Sequence, residues 1–314
     1  MADELTKDVP KKSAGALLQS VPKNVLFGIL FLFATFPLFL NIALPNKPLE
    51  ESTAFYANLM KLPPNSKVLI ASDWTNSTRG ESGGEMEALL RILIRKQIKF
   101  GLYSTADPQA PQVARDVIAR IAKEVADDGG PVYKPFTDYV VLGYFPNSEG
   151  TNLAVNNNVL TAFAGKKDLP EGGQQTDVMQ SPVFTGVKSL ADFKYFILVT
   201  ASSTDKIIIE RIKKTPMMFM VTGVMVPENV TYYASGQLKG LIGGVKGVYD
   251  LETLMEKGEP ESQVASLPGT DKLKKNKMLK GTAYYPTLTI CLFLLILFIF
   301  AGNIGMFLSR KEAK

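Results

Sequence analysis

The stretch Lys67-Val-Leu-Ile-Ala-Ser72 is a short apolar run, and residues 84–97 after it carry apolar side chains at helical spacing. The same order recurs along the chain, with strand-like runs at 98–104, 139–144, 193–200 and 217–225 and helical patterns at 111–125, 152–163 and 205–213. Fully apolar strands that alternate with helices are typical of a parallel sheet covered on both faces. We therefore predict an α/β domain with a doubly wound, mainly parallel sheet of five or six strands.

Two apolar stretches without charge lie on either side of this domain, from Asn24 to Asn46 and from Gly281 to Ser309. Roughly 20 apolar residues cross a hydrocarbon core of about 30 Å. We therefore predict one transmembrane helix at each end, over 24–45 and 286–308, and a lipid bilayer as a partner.

The remaining segments complete the domain organisation. We predict a polar N-terminal tail at 1–23, a Pro-rich connector at 46–65, the α/β domain at 66–257, a flexible Lys-rich tether at 258–283 and a C-terminal tail at 309–314. The connector contains a short helical pattern over Ser52–Leu62, and a Gly-rich helical segment is predicted near Tyr232–Ile242.

The distribution of lysine and arginine predicts the orientation. Basic residues flank both apolar stretches on the terminal side: Lys11, Lys12, Lys23, Arg310, Lys311 and Lys314. Because such residues are retained on the cytoplasmic side, we expect an inner-membrane protein with cytoplasmic termini and an exported domain. The Lys-rich run from Asp271 to Lys280 is the signal that favours the opposite orientation.

Composition excludes several classes of chemistry. Among 314 residues there is no histidine, and the single cysteine, Cys291, lies in the second apolar stretch. Ser-His-Asp and Cys-His catalysis within this chain are therefore excluded, as is a His or Cys zinc site in the domain. Seven of the 35 basic and four of the 30 acidic residues lie in the termini, so the domain is nearly neutral and offers no electrostatic basis for binding nucleic acid. No phosphate-binding glycine motif follows the first strand, and we predict no cofactor and no metal.

Polar residues follow the predicted strands at the edge where parallel sheets bind ligands. The candidate ligand-binding residues are Asp73, Thr75, Asn147, Thr151, Ser202, Ser203, Thr204 and Glu228. Asp73 could act as a nucleophile or a magnesium ligand, but residue 75 is threonine where an acidic phosphotransferase would carry a second aspartate. A turn or cap role is the simpler interpretation of Asp73 and of Ser202–Asp205.

Glycines form the most unusual pattern in the chain. Gly236, Gly240, Gly243, Gly244 and Gly247 recur within Ser235–Gly247, although glycine destabilises helices. Such a segment permits either close packing against another helix or a neighbouring subunit, or a backbone-lined ligand loop, and we favour packing. In the second apolar stretch, Gly302, Asn303 and Gly305 likewise offer close helix approach and an amide that can bond across helices.

Four segments resemble a group of bacterial membrane-anchored α/β proteins: Pro63-Pro-Asn-Ser-Lys-Val-Leu-Ile70, Tyr139-Val-Val-Leu-Gly-Tyr144, Ser235–Gly247 and Ala301-Gly-Asn-Ile-Gly305. The resemblance implies this architecture, a bacterial origin and a Gly-rich segment typical of the group. It implies no active site, because the group has no assigned activity.

Three functions follow as hypotheses. The first is a non-enzymatic structural or accessory subunit of a membrane assembly that associates with copies of itself or with other membrane subunits. The second is a membrane-tethered domain that binds or senses a small ligand at the strand ends. The third is a magnesium-dependent hydrolase or transferase that uses Asp73 and Glu228.

Overall fold

The computed structural model describes residues 14–40, 42, 44–170, 172–270 and 279–312. Its main sheet has six strands, β1 (Lys67–Asp73), β2 (Lys99–Ser104), β3 (Tyr139–Tyr144), β4 (Tyr195–Thr200), β5 (Met217–Val221) and β6 (Leu238–Gly243). All neighbouring strands are parallel, in the order β3-β2-β1-β4-β5-β6. The predicted α/β fold is confirmed, with six strands and a Rossmann-like order in which the chain reverses between β1 and β4.

Helices connect and flank these strands. In chain order they are α1 (Ala14–Gln19), α2 (Lys23–Thr35), α3 (Pro37–Leu40), α4 (Glu50–Met60), α5 (Ser82–Arg95), α6 (Ala110–Asp127), α7 (Ser148–Asn157), α8 (Val159–Ala162), α9 (Thr204–Arg211), α10 (Val226–Ala234), α11 (Gly244–Lys257) and α12 (Lys280–Glu312). A short antiparallel pair joins Lys167–Asp168 to Thr176–Asp177.

The sheet separates two hydrophobic cores because alternate side chains of each strand point to opposite faces. On β1, Val68 and Ile70 belong to one core, together with residues of α4, α5, α6 and α11. Leu69 and Ala71 belong to the other, together with residues of α7, α9 and α10. All four side chains are fully buried. Burial on both faces explains why these strands read as continuous apolar runs.

The compact domain extends beyond the predicted limits of 66–257. It covers Pro45–Thr282, whereas the chain up to Leu44 and from Ala283 onward forms a separate unit. The predicted connector contributes α4, whose Phe55, Tyr56 and Leu59 are fully buried. Part of the predicted tether also belongs to the domain, because Leu267 lies in the same core as α4. The rest of that tether, 271–278, lies outside the described residues, as do residues 1–13 and 313–314 of the tails.

The helix predicted near Tyr232–Ile242 is wrong. Helix α10 ends at Ala234, Gly236 has φ 77°, and the chain then forms strand β6. The glycines recur at helical spacing and obscured the strand, in which only Lys239 is exposed and Leu238, Gly240, Leu241 and Ile242 are buried.

Both edges of the sheet are closed by the chain itself. At the β6 edge, Asn58 Nδ2 on α4 donates to the Lys239 carbonyl oxygen at 2.7 Å. At the β3 edge, the Val141 N–H donates to Asp168 Oδ2 at 2.7 Å, and Arg115 holds that carboxylate at 2.6 Å. Unpaired strand edges recruit other strands, so these contacts protect the sheet from that pairing.

The terminal unit contains the apolar helices. Residues 23–40, in α2 and α3, and 280–311, in α12, are long and apolar enough by length and composition to cross a membrane. Many of their large side chains are exposed, among them Phe31, Phe39 and Phe307, as expected of surfaces that face lipid. Helix α12 is longer than the predicted 286–308 because polar residues extend it at both ends.

Candidate functional site

Asp73 at the end of β1 is buried and holds the neighbouring loop in place. Its Oδ1 accepts hydrogen bonds from Ser104 Oγ (2.9 Å) and from the N–H groups of Thr105 (2.7 Å) and Ala106 (3.2 Å). Its Oδ2 accepts from Thr105 Oγ1 at 3.1 Å. Four donors therefore engage this carboxylate, and it joins the carboxyl end of β1 to the loop after β2.

A cluster of hydroxyl groups lies at the end of β4, beside β1. Thr200 Oγ1 is within hydrogen-bond distance of Ser202 Oγ (3.2 Å) and Thr204 Oγ1 (3.1 Å), and it also contacts the Asp73 carbonyl oxygen at 3.3 Å. Two of the predicted ligand residues, Ser202 and Thr204, thus meet at the point where the strand order reverses. Ser203 is the N-cap residue of α9 by position, but its side chain makes no capping bond.

The other predicted ligand residues have separate local roles. Asn147 caps α7 by accepting from the Gly150 N–H at 2.9 Å, and Thr151 lies within that helix. Thr75 bonds with the Ser77 hydroxyl at 2.9 Å, and Glu228 forms an ion pair with Lys206 at 3.1 Å. The carboxylates of Asp73 and Glu228 therefore engage different partners.

No sequence pattern indicates the pair of carboxyl groups that the structure places at the start of α5. Glu81 Oε2 accepts from the Gly223 N–H at 2.7 Å, and Glu85 Oε1 accepts from the Gly244 N–H at 3.1 Å. A Cβ atom placed on Gly244 would lie 2.9 Å from Glu81 Oε2, so both carboxyl groups converge on this residue. Glu85 is fully buried, and burial, followed by the charge of Glu81, raises its pKa well above the usual range.

The start of α5 is where a dinucleotide-binding fold holds a pyrophosphate. Here Lys280 Nζ donates to the Arg79 carbonyl oxygen at 3.3 Å and would lie 3.1 Å from a Cβ on Gly83. Lys280, Glu81 and Glu85 of the chain itself thus surround the place where such a fold would hold a pyrophosphate. Among the described residues, no group of three or more Asp, Glu or Cys side chains could hold a metal ion.

A buried ionic network connects α5, α6 and the start of α12. Arg91 Nε donates to Glu124 Oε1 at 2.9 Å, and Glu87 pairs with Arg120 at 2.6 Å and Lys280 at 2.8 Å. Burial alone would raise the pKa of Glu87, but the Lys280 hydrogen bond and the surrounding positive charges lower it on balance.

Glu252 on α11 extends this network to the first turn of α12. Its carboxyl group accepts from the N–H groups of Gly281 (3.0 Å) and Thr282 (2.6 Å) and from Thr282 Oγ1 (2.7 Å). Burial is the main cause that raises the pKa of Glu252. The first two residues of the second apolar stretch are therefore bound by the domain, and they do not belong to a free tether.

The glycines of Ser235–Gly247 serve contacts within the domain. A Cβ on Gly240 would lie 2.6 Å from Phe55 Cβ on α4, and one on Gly243 would overlap Val226 Cγ2 on α10. A Cβ on Gly247 would lie 2.7 Å from Ile242 Cγ2. Gly236 and Gly244 adopt positive φ angles. Close packing thus accounts for Gly240, Gly243 and Gly247, and the neighbours are elements of the same chain.

The glycines of the second apolar stretch differ from one another. A Cβ on Gly305 would lie 2.9 Å from Leu18 Cβ, so this glycine lets α1 approach α12. A Cβ on Gly302 would meet no atom within 4 Å, and Asn303 is exposed.

A groove with a volume of about 650 Å³ extends along the outer face of α4. Half-buried small or apolar residues of α4 line it, and Tyr233 and the turn after α11 also contribute. The lining residues are Lys47, Pro48, Glu50, Thr53, Ala54, Ala57, Met60, Lys61, Tyr233, Glu259 and residues 261–265. The sequence did not reveal this groove, because the residues from three distant segments form it.

The chain matches no family model, no curated protein and no solved structure.

Proposed function

We propose that this protein is a membrane-anchored, non-enzymatic accessory subunit whose α/β domain associates with partner subunits or with copies of itself. The main support for this proposal is that the polar groups at the carboxyl edge of the sheet form hydrogen bonds and ion pairs with groups of their own domain. A catalytic edge would instead present groups that are free to react with a substrate.

Asp73 and Glu228 illustrate this point. The Asp73 carboxylate accepts four hydrogen bonds from its own domain, and Glu228 is paired with Lys206. A nucleophile or magnesium ligand needs lone pairs directed at the reacting group. The contacts therefore support a structural role for Asp73 and weigh against the hydrolase hypothesis.

The association surface is expected on the outer faces of the helices. Side chains and α4 close both sheet edges, and the packing glycines Gly240, Gly243 and Gly247 meet elements of their own chain. Of the two packing partners considered, another helix or a neighbouring subunit, these contacts favour elements of the same chain for the three glycines. The groove along α4 remains as a concave surface of a size typical of binding sites.

We further propose a two-span inner-membrane location with cytoplasmic termini and an exported domain, on the basis of the terminal lysines and arginines. The test uses a Cys291→Ser background with a cysteine introduced at the exposed position 77. Labelling of that cysteine in intact cells by a membrane-impermeant maleimide supports export of the domain. Labelling only after lysis contradicts it.

The accessory role is tested by measuring the mass of the particle after gentle detergent extraction from the native membrane, with mass spectrometry of its components. A multi-subunit particle of constant composition is expected. A monodisperse single chain would contradict the proposal.

A small-ligand sensor is the second candidate, because the hydroxyl cluster of Thr200, Ser202 and Thr204 lies at the reversal of strand order. A metabolite that raises the melting temperature of the wild-type protein but not that of a Ser202→Ala variant would support this candidate.

A further inference from the structure

The groove along α4 has a regular floor. Thr53 and Ala54 lie four and three residues before Ala57, so the three share one face of the helix, and Met60, three residues after Ala57, continues that face. These short side chains are half-buried and leave the helix backbone close to the groove. The facing wall is the turn closed by mutual backbone hydrogen bonds between Glu259 and Val264 (2.8 and 3.0 Å).

The two ends of the groove differ in charge. Glu50 begins α4, and Tyr233 lines the same groove, where burial and then the charges of Glu50 and Glu51 raise its pKa. Lys61 follows the last residue of α4 at the other end. Lys47 is already paired with Glu261 at 3.7 Å. Among the described residues, no ion pair engages Glu50, Glu259 or Lys61.

We propose that this groove binds an extended peptide segment of a partner subunit. The segment carries a basic residue at the Glu50 end, small or branched apolar residues over Ala54 and Ala57, and an acidic group at the Lys61 end. A guanidinium or ammonium group at the first end is attracted by the carboxylate of Glu50.

The length of the groove fits such a segment. Helix α4 has 11 residues, which span about 16 Å at a rise of 1.5 Å per residue. An extended chain covers that distance with about five residues at roughly 3.3 Å each. A small amine would fill only one end of a groove of this length, so the full lining favours a peptide.

This inference rests on the proposed accessory role, and its test separates the two. The probe is a fluorescent peptide, Arg-Leu-Ala-Leu-Asp with blocked ends, titrated against the full-length protein in detergent and followed by anisotropy. We expect saturable binding that weakens at least tenfold in Ala57→Trp, which fills the groove, and in Glu50→Lys, which reverses the charge at a surface residue. Ala119→Trp, at an exposed position of α6, is the matched control and should bind as the wild type does.

Three results would overturn the inference: no saturable binding, equal binding by a peptide with Asp in place of Arg, or full displacement by propylammonium, which would indicate a small-cation site. The native particle distinguishes this failure from failure of the accessory role. If the wild-type particle contains partners and Ala57→Trp retains them, the groove is not the contact, while the accessory role stands. If the wild-type particle is a single chain, the accessory role itself fails.

Discussion

The backbone N–H of Gly244 donates to the buried Oε1 of Glu85 at 3.1 Å, so one carboxyl group joins α5 to the first residue of α11. The other oxygen, Oε2, has no hydrogen-bond partner among the described residues. A buried polar atom without a partner costs stability, and a buried negative charge costs more. Burial and the nearby Glu81 therefore keep the pKa of Glu85 well above its usual range.

The raised pKa predicts how stability depends on pH. A carboxyl group whose pKa is higher in the folded state stabilises that state below the unfolded pKa of about 4.3, and this contribution is lost as pH rises through the folded pKa. Glu85→Gln keeps an acceptor for the Gly244 N–H and carries no charge. We expect the variant to melt higher than the wild type at pH 8, by an amount that shrinks as pH falls toward 5.

Glu81→Gln serves as the companion to this measurement. Removing the Glu81 charge eases ionisation of Glu85, so this variant should show a weaker decline of melting temperature with pH than the wild type. A Glu85→Gln variant that melts lower than the wild type at pH 8 would contradict the argument.

Gly240 is predicted to contribute to the stability of the domain. Even alanine would place its Cβ 2.7 Å from Phe55 N and 2.6 Å from Phe55 Cβ, and backbone must shift to relieve this contact. Overpacking of this kind costs about 1–3 kcal/mol. Urea unfolding of Gly240→Ala should show that loss, whereas Gly80→Ala, where a Cβ meets no atom within 4 Å, should change stability little. Equal stability of the two variants would refute the packing role.

Asp73 is predicted to act on stability. Asp73→Ala leaves buried donors of Ser104 and Thr105 without their acceptor, which we expect to cost about 2–5 kcal/mol. Asp73→Asn keeps one oxygen acceptor and should lose less. The measurement is chemical unfolding of the purified variants. If Asp73→Ala leaves the free energy of unfolding unchanged, the structural role is contradicted and Asp73 is again a candidate reactive group.

Glu252 is predicted to protect the start of α12. Its carboxyl group is the acceptor for the N–H groups of Gly281 and Thr282. Loss of about 1.4 kcal/mol of local stability speeds amide exchange tenfold. Hydrogen exchange with mass spectrometry should therefore show at least tenfold faster exchange at these two amides in Glu252→Ala, while strand β4 keeps its protection. Unchanged exchange at 281 and 282 would show that other contacts hold this turn.

The sequence predicted the elements whose signal is local. The apolar run at 67–72 and the helical spacing after it identify β1 and α5, because a strand buried on both faces needs apolar side chains throughout. Strand β6 was missed because Gly240 and Gly243 carry no side chain to show the pattern. Helix α4 was assigned to a connector because the prolines around it mark breaks and do not reveal that Phe55 and Leu59 enter the core.

The contacts at the candidate sites could not be predicted in the same way. The partners of Asp73 lie more than 30 positions away, at Ser104 and Thr105, and Gly244 lies 159 positions after Glu85. Whether a polar residue at a strand end is free or engaged depends on such distant donors. The sequence therefore located the carboxyl edge correctly, but it could not show that the Asp73 carboxylate already accepts hydrogen bonds from Ser104, Thr105 and Ala106.

The contact of Asp168 and Arg115 with the β3 edge has a consequence for the membrane-anchored protein that we propose. Molecules in a membrane diffuse in two dimensions and meet their neighbours often, in similar orientations. An open edge strand would then turn frequent encounters into sheet growth from one molecule to the next. With a carboxylate in place of a partner strand at Val141, the β3 edge opposes such growth, and association of the proposed membrane-anchored domains would use other surfaces.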